Sequence, residues 1–133
     1  MIKTSQIKFK SVVVIDEAPI IKSAIKLLFE AESISAKIAG YADNGVDGLS
    51  IIRVLTPDVI VLDVDILYID TFDLIKRIRE NNKKTIVIVF GILKSSHITN
   101  RLIATGANAC IDKRWNLEDC SLAFKSILSP YVV

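Results

Sequence analysis

Runs of consecutive apolar residues alternate along the chain with stretches in which apolar residues recur every three or four positions. Three strand candidates, at residues 11–16, 57–63 and 85–90, each contain at least four consecutive apolar side chains. Runs without polar alternation are typical of strands that are buried on both faces, as in a parallel sheet covered by helices. Two further strands are predicted at residues 34–41 and 108–112.

The helical spacing of apolar residues predicts five helices between and after these strands. They lie at about residues 18–32, 46–55, 71–82, 95–105 and 117–128, with Gly106 placed to end the fourth. Five strands alternating with five helices predict a doubly wound α/β fold with right-handed crossovers. At this size the common strand order is 2-1-3-4-5, which is the flavodoxin-like (βα)5 arrangement.

Chain length and composition limit the classes of protein to be considered. With 133 residues, 51% hydrophobic and 24% charged, the chain is expected to form one domain at residues 11–129, preceded by a flexible lead-in at 1–10 and followed by a linker or tail at 130–133. A net charge of +2 gives no support for nucleic-acid binding. No signal peptide or membrane span is recognised, so a cytoplasmic protein with reduced Cys110 and Cys120 is expected.

Acidic residues follow two of the strands that the predicted order makes neighbours. Asp16 and Glu17 follow the first strand and Asp63 ends the central one, while Gly91 and Lys113 follow the fourth and fifth strands. Ligand-binding groups in open α/β sheets lie at the carboxyl ends of the strands, so these residues are expected to meet in one crevice. Neighbouring carboxylates repel one another unless a cation lies between them, and Mg²⁺ is the cation that uses a few carboxylates, waters and a phosphate.

This arrangement predicts metal-assisted phosphoryl chemistry. Asp63, on the central strand, is the candidate nucleophile for an aspartyl phosphate, and Lys113 is the candidate partner of the phosphoryl oxygens. Taken singly, each residue has a simpler interpretation: Asp63 or Asp16 as a helix cap, Glu17 as a solvated acid, and Lys113 as a surface lysine. Their joint position at the ends of three strands favours the shared site.

The sequence resembles the receiver domain of two-component response regulators, from about residue 12 to residue 128. The resemblance is carried by four motifs: the acidic pair with Pro19 after it, residues 43–45, residues 57–63, and residues 106–109 leading to Lys113. Within the family the chain is similar to the LuxR/NarL-type branch, and residues 63–66 resemble the EvgA-like regulators.

The resemblance implies a phosphoacceptor switch rather than an enzyme. A histidine kinase or phosphotransfer protein would donate a phosphoryl group to Asp63 with Mg²⁺, which Glu17 and Asp63 would ligate directly, Asp16 through water, and Asp65 through its backbone carbonyl. The resemblance also implies a weak or phosphorylation-dependent homodimer and control of transcription through a DNA-binding output domain. The chain itself is expected to bind neither nucleic acid nor membrane.

Three features depart from the family pattern. Gly91 stands where a Ser or Thr hydroxyl usually binds the phosphoryl group, Cys110 stands where an aromatic residue usually responds to it, and the loop at residues 66–71 lacks the usual Pro and two Gly residues. We therefore expect that phosphorylation survives while its coupling to the surface is reduced or rerouted.

Two alternatives remain open. One is a pseudo-receiver, which binds its partner constitutively and without phosphate. The other is a flavodoxin-like or nucleotide-binding module. The turn at residues 16–19, which would have to bind a phosphate in such a module, contains two acidic residues that would repel it.

Overall fold

A computed structural model describes residues 8–131, with residues 8–10 described for their backbone only. The strands are β1 (Lys8–Ile15), β2 (Ser35–Ala42), β3 (Val59–Leu62), β4 (Ile86–Gly91) and β5 (Ala109–Asp112). The helices are α1 (Ile20–Ala31), α2 (Gly45–Leu55), α3 (Thr71–Asn81), α4 (Ser96–Thr105) and α5 (Leu117–Leu128), followed by a 3₁₀ turn at Ser129–Tyr131. The predicted alternation of five strands and five helices is confirmed.

The five strands form one parallel sheet in the order β2-β1-β3-β4-β5. The predicted order 2-1-3-4-5 is thus confirmed. In this order β1 and β3 are neighbours, and Ile15, the last residue of β1, is aligned with Leu62, the last residue of β3. The residues that follow these two strands therefore leave the sheet side by side.

Alternate residues of each central strand pack on opposite faces of the sheet, which produces two apolar cores. Val12 and Val14 face α1 and α5, where the rings of Phe29 and Phe90 make edge-to-face contacts with Phe124 at centroid distances of 5.3 and 5.5 Å. Alternate positions on the other face, starting with Val13, pack against α2, α3 and α4. Because both faces are covered by helices, the strands need no polar alternation, as the continuous apolar runs predicted.

Polar side chains begin four of the five helices and so fix where each starts. Asn44, Asp70, Ser95 and Asn116 each accept a hydrogen bond from a backbone N–H of the first turn. Gly106, at a φ of 135°, follows α4 at its C-terminus, as its position in the sequence predicted.

The ends of the domain differ slightly from the expected bounds. β1 begins at Lys8, so the last three residues of the predicted lead-in are strand, paired with the start of β2 at Ser35 and Ala36. Residues 1–7 of the lead-in and residues 132–133 of the predicted tail lie outside the described residues. Within residues 8–131, none of the helices combines the length and the apolar character that crossing a membrane requires.

Candidate functional site

Asp16, Asp63 and Lys113 meet at the carboxyl end of the sheet. The Lys113 ammonium lies 2.6 Å from Asp16 Oδ2 and 3.4 Å from Asp63 Oδ2. Each residue comes directly after a strand, and its backbone N–H still donates to the neighbouring strand: Asp16 to Ala42 O, Asp63 to Ile15 O, and Lys113 to Gly91 O, each at 3.0 Å. The sheet therefore directs all three side chains into one crevice, as expected from the sequence.

Asp16 is the most buried member of the cluster, with 2% of its surface exposed. Its Oδ1 accepts a hydrogen bond from Ala18 N at 2.9 Å, while Lys113 binds Oδ2. The Tyr41 hydroxyl of the edge strand donates to the Asp16 carbonyl at 2.6 Å. These contacts fix both the backbone and the carboxylate of Asp16 before any ligand arrives.

The Asp63 carboxylate is held less tightly. Its Oδ1 accepts from the backbone N–H of Val64 at 2.8 Å, and its Oδ2 is at the edge of contact with Lys113. Burial raises the pKa of the Asp63 carboxyl above its ordinary value, and the charge of Asp16 adds to this increase, while Lys113 and the Val64 N–H oppose it. Asp63 is therefore a carboxylate that would gain from an additional cation nearby.

Gly91 lies directly against the Asp63 side chain. A Cβ at position 91 would stand 2.6 Å from Asp63 Oδ1 and 3.0 Å from both Val64 N and Val64 Cγ1. Contacts that short require the neighbouring atoms to move. Gly91 therefore does more than remove a hydroxyl from the site. The Asp63 carboxylate occupies the space that a side chain at position 91 would need.

The loop between β3 and α3 lacks the Pro and Gly residues of the family pattern and has a residue in the left-handed conformation. Tyr68 adopts a φ of 71°, a conformation for which glycine is favoured, with 80% of its surface exposed. Thr71, buried at the start of α3, donates its hydroxyl to the carbonyls of Asp63 at 3.2 Å and Val64 at 2.8 Å. The hydroxyl of Thr71 thus ties the backbone of Asp63 to the helix that follows.

The other residues predicted for the site take no part in the contacts between Lys113 and the two carboxylates. Glu17 and Asp65 are exposed, and Cys110 is a free, half-buried thiol packed against the core on the α2, α3 and α4 side. Burial raises the pKa of the Cys110 thiol to about 11, so it is protonated at neutral pH. Among residues 8–131, no three His, Cys, Asp or Glu side chains form a ready metal cluster.

Asp16 and Asp63 nevertheless fit a hard divalent cation. They present carboxylate oxygens from neighbouring strands, and the remaining ligands of Mg²⁺ are usually waters and a phosphate. The charge between them in this structure is the ammonium of Lys113.

The sequence did not reveal two sets of contacts around the site. Tyr41 and Thr71 bind backbone carbonyls of Asp16 and Asp63, and no pattern in the sequence links positions that far apart. The second set joins Asp112 and Arg114, which flank Lys113, by an ion pair of 2.7 Å. The sequence signal that could have predicted this ion pair is the placement of opposite charges on either side of Lys113.

The family model described as the response regulator receiver domain matches residues 12–125 of this chain. It covers all five helices, at least in part, and all of the site residues described above.

Two curated relatives and one solved structure illustrate the similarity. A Pseudomonas aeruginosa protein named "Putative transcriptional regulator" is 34% identical over 121 residues, which are 91% of this chain and 58% of that protein. The Fimbriae Z protein of Salmonella typhimurium is 30% identical over 121 residues, which are 91% of this chain and 57% of that protein. A two-component response regulator of the LuxR family from Aurantimonas superposes with a TM-score of 0.80 at 19% identity, covering 92% of this chain and 86% of that one. The chain thus spans a little over half the length of these curated relatives.

Proposed function

This chain belongs to the response regulator receiver domain family, and from that premise we propose that Asp63 accepts a phosphoryl group. The observation that carries the proposal is the cluster in which the Lys113 ammonium lies within 3.4 Å of both Asp16 and Asp63. Receiver domains are signalling switches and generally bind Mg²⁺ for phosphorylation.

Asp63 is the nucleophile in this proposal. One of its carboxylate oxygens attacks the phosphorus of the donor, the new O–P bond forms as the bond to the donor breaks, and the donor leaves with the electron pair of that bond. Oδ2 is the better candidate because Oδ1 is bound to the Val64 N–H at 2.8 Å. The lone pairs of Oδ2 face the side of the crevice that holds Lys113.

Lys113, and a Mg²⁺ ion held by the acidic residues, would stabilise the negative charge of the transferring phosphoryl group. Lys113 supplies a positive charge beside the transferring group. The charge is effective there because the site is partly buried and so shielded from water. Asp16 and Asp63 are the carboxylates that would hold Mg²⁺, together with Glu17 and the backbone carbonyl of Asp65, and Mg²⁺ neutralises the phosphoryl oxygens when bound. The raised pKa of Asp63 is consistent with a site that is completed by a cation.

The donor and the output are also proposed. The donor is a histidine kinase or a phosphotransfer protein, as is typical for receiver domains, and the location is cytoplasmic. Because the P. aeruginosa relative carries a name concerned with transcription, we propose control of transcription through an output domain outside these 133 residues. Phosphorylation would favour a homodimer of the receiver.

Intact-mass spectrometry after incubation with Mg²⁺ and a small phosphodonor tests the acceptor. The wild-type chain should gain the mass of one phosphoryl group, and Asp63→Asn should gain none. Asp65→Asn is the matched control, because it removes an exposed carboxylate two positions away whose proposed contribution is its backbone carbonyl alone. An adduct on Asp63→Asn, or its loss in Asp65→Asn, would show that the acceptor is misassigned.

A pseudo-receiver is the second candidate function, and the contact between Gly91 and Asp63 favours it. That contact leaves no room at position 91 for a hydroxyl-bearing side chain that could respond to a phosphoryl group on Asp63. A wild-type chain that gains no mass under conditions where Mg²⁺ and phosphodonor are in excess would support this alternative.

A further inference from the structure

Two residues that the proposed phosphotransfer does not use flank Lys113 and hold a neighbouring loop. Asp112 ends β5 and has 5% of its surface exposed, while Arg114 lies in the turn that leads to α5. Arg114 donates from Nε to Asp112 Oδ1 at 3.0 Å and from Nη2 to Asp112 Oδ2 at 2.7 Å. This two-point contact between a guanidinium and a carboxylate is the geometry in which an ion pair is most specific.

The same pair binds both backbone polar groups of Leu93. Arg114 Nη2 donates to the Leu93 carbonyl at 2.8 Å, and the Leu93 N–H donates to Asp112 Oδ2 at 3.4 Å. Leu93 belongs to the loop of residues 92–95, which joins β4 to α4 and which we call the β4–α4 loop. Through Leu93, the end of β5 therefore holds the loop from which α4 starts.

The hydrogen bonds of the Asp112 carboxylate keep it ionised. The side-chain bonds from Arg114 lower the pKa of Asp112 to about 2 against the opposing effect of burial, and the backbone N–H groups of Arg114 and Leu93 add to the decrease. Asp112 is therefore ionised at neutral pH, as the ion pair with Arg114 requires.

α4 has fewer buried residues than any of the other four helices. Leu102 is its one fully buried residue, and its further attachment includes the guanidinium of Arg101, which lies 3.8 Å from the centre of the Phe72 ring. Segments with few buried contacts open at low free-energy cost. A change in how the β4–α4 loop is held should thus reach α4 readily.

We propose that the Asp112–Arg114 pair couples the position of Lys113 in the acidic crevice to the order of the β4–α4 loop and α4. Lys113 is bonded to its two neighbours through the chain, so a shift of its backbone moves the carboxylate and guanidinium that bind Leu93. This route requires no hydroxyl at position 91 and no aromatic residue at position 110. It rests on the proposed function only as far as phosphorylation is what moves Lys113.

Amide hydrogen exchange of residues 92–99, followed by NMR on the whole chain, tests the coupling without phosphorylation. Arg114→Gln should speed exchange in the β4–α4 loop about tenfold, as expected for the loss of hydrogen bonds to a charged group. Lys113→Gln should speed it in the wild-type background and add nothing in the Arg114→Gln background. Lys94→Gln, which removes an exposed charge from the same loop, is the matched control and should leave exchange unchanged.

The coupling would be overturned if Arg114→Gln and Lys113→Gln had additive effects on amide exchange in the loop, or if Lys113→Gln had no effect on it. Lys113→Arg keeps a charge in the crevice while moving it, and it replaces Lys113→Gln if that variant is too unstable to measure. A second arm of the experiment adds Mg²⁺ and a small phosphodonor. Formation of the phosphoryl adduct should change the rate of amide exchange in the β4–α4 loop of the wild type but not in that of Arg114→Gln. An equal change in both proteins would also overturn the coupling. Absence of any adduct would count against the proposed function alone, since the substitution arm still decides the coupling.

Discussion

A glycine is required at position 91 by the lack of space around it and not by its backbone conformation. Its φ lies outside the left-handed region, so an L-amino acid could adopt the same backbone. What excludes a side chain is the Asp63 carboxylate, whose Oδ1 would be 2.6 Å from an added Cβ. The side chain of Asp63 and the absence of a side chain at position 91 thus depend on each other, which a missing hydroxyl alone would not produce.

Gly91→Ala and Gly91→Ser should destabilise the fold by similar amounts. Inserting atoms into a packed site costs about 1–3 kcal/mol, and both variants introduce the same Cβ. The cost should fall in an Asp63→Ala background, because that substitution removes the carboxylate oxygen that the Cβ would meet. Urea unfolding of the wild type, Asp63→Ala, the two single variants at position 91 and the two double variants measures these differences. A markedly smaller cost for Ser than for Ala would mean that the hydroxyl finds a partner in the site.

The Asp63 carboxyl should make stability depend on pH in a defined direction. Burial raises its pKa in the folded state, so the folded chain binds this proton more tightly than the unfolded chain does. Its contribution to stability is then complete at pH values below the ordinary carboxyl pKa and is lost as the pH rises through the folded pKa. Asp63→Asn, neutral at every pH, should therefore raise the free energy of unfolding at neutral pH.

Chemical unfolding in magnesium-free buffer over a series of pH values measures this effect. The advantage of Asp63→Asn should shrink as the pH falls into the acidic range, where the wild-type carboxyl is also neutral. Asp65→Asn, at an exposed carboxylate, should show no such trend. A less stable Asp63→Asn at neutral pH would mean that the attraction of Lys113 outweighs the burial of the charge.

The loop between β3 and α3 is held by residues other than the Pro and Gly of the family pattern. Tyr68 takes up the left-handed conformation at a cost in backbone energy, and Thr71 supplies hydrogen bonds that a glycine at its position could not make. The sequence showed the loss of Pro and Gly but not what replaces them. Hydroxyl contacts with backbone carbonyls leave no periodic pattern along the chain.

Thr71→Val should distinguish the contribution of the hydroxyl to stability from that of side-chain packing. It keeps the shape but leaves the carbonyls of Asp63 and Val64 without this donor, at a cost of about 1–3 kcal/mol for buried groups. Thr71→Ser is the control, since it retains the hydroxyl and loses one methyl group. Urea unfolding of both variants gives the comparison, and an equal loss in Ser and Val would assign the role of Thr71 to packing.

Strand and helix boundaries were predictable where local signals were strong. Continuous apolar runs located β3 and β4, and Gly106 located the end of α4. The start of β1 was placed at residue 11 because Lys3, Lys8 and Lys10 favoured a flexible polar lead-in, whereas the strand conformation of residues 8–10 depends on pairing with β2. Pairing is a tertiary contact, so the sequence around Lys8 did not report it.

At the scale of the whole molecule, topology made the site predictable. Once the order of the strands was inferred, Asp16, Asp63 and Lys113 had to follow strands at the same end of the sheet, and the structure brings them together. Which of the acidic residues point inward was not predictable, because that depends on the conformation of each loop. Glu17, adjacent to Asp16, is exposed for this reason.

Lys113 and Mg²⁺ would act on the same pair of carboxylates, which links metal binding to the stability of the whole fold. The folded chain holds Asp16 and Asp63 close to one cation already, and the raised pKa of Asp63 indicates that this single positive charge does not fully offset its burial. In the unfolded chain these residues are 47 positions apart and form no site. Mg²⁺ should therefore bind the folded state in preference to the unfolded one.

We expect Mg²⁺ to raise the free energy of unfolding of the wild type, by about 2.7 kcal/mol at a concentration one hundred times its dissociation constant. Asp16→Asn and Asp63→Asn should lose most of this increase, because each removes a proposed ligand or the charge beside it. Asp73→Asn, at an exposed carboxylate of α3, should keep all of it. Unfolding curves with and without Mg²⁺, at constant ionic strength, measure the four proteins. Equal increases in all four would mean that the cation screens surface charge and that the acidic crevice is not a metal site.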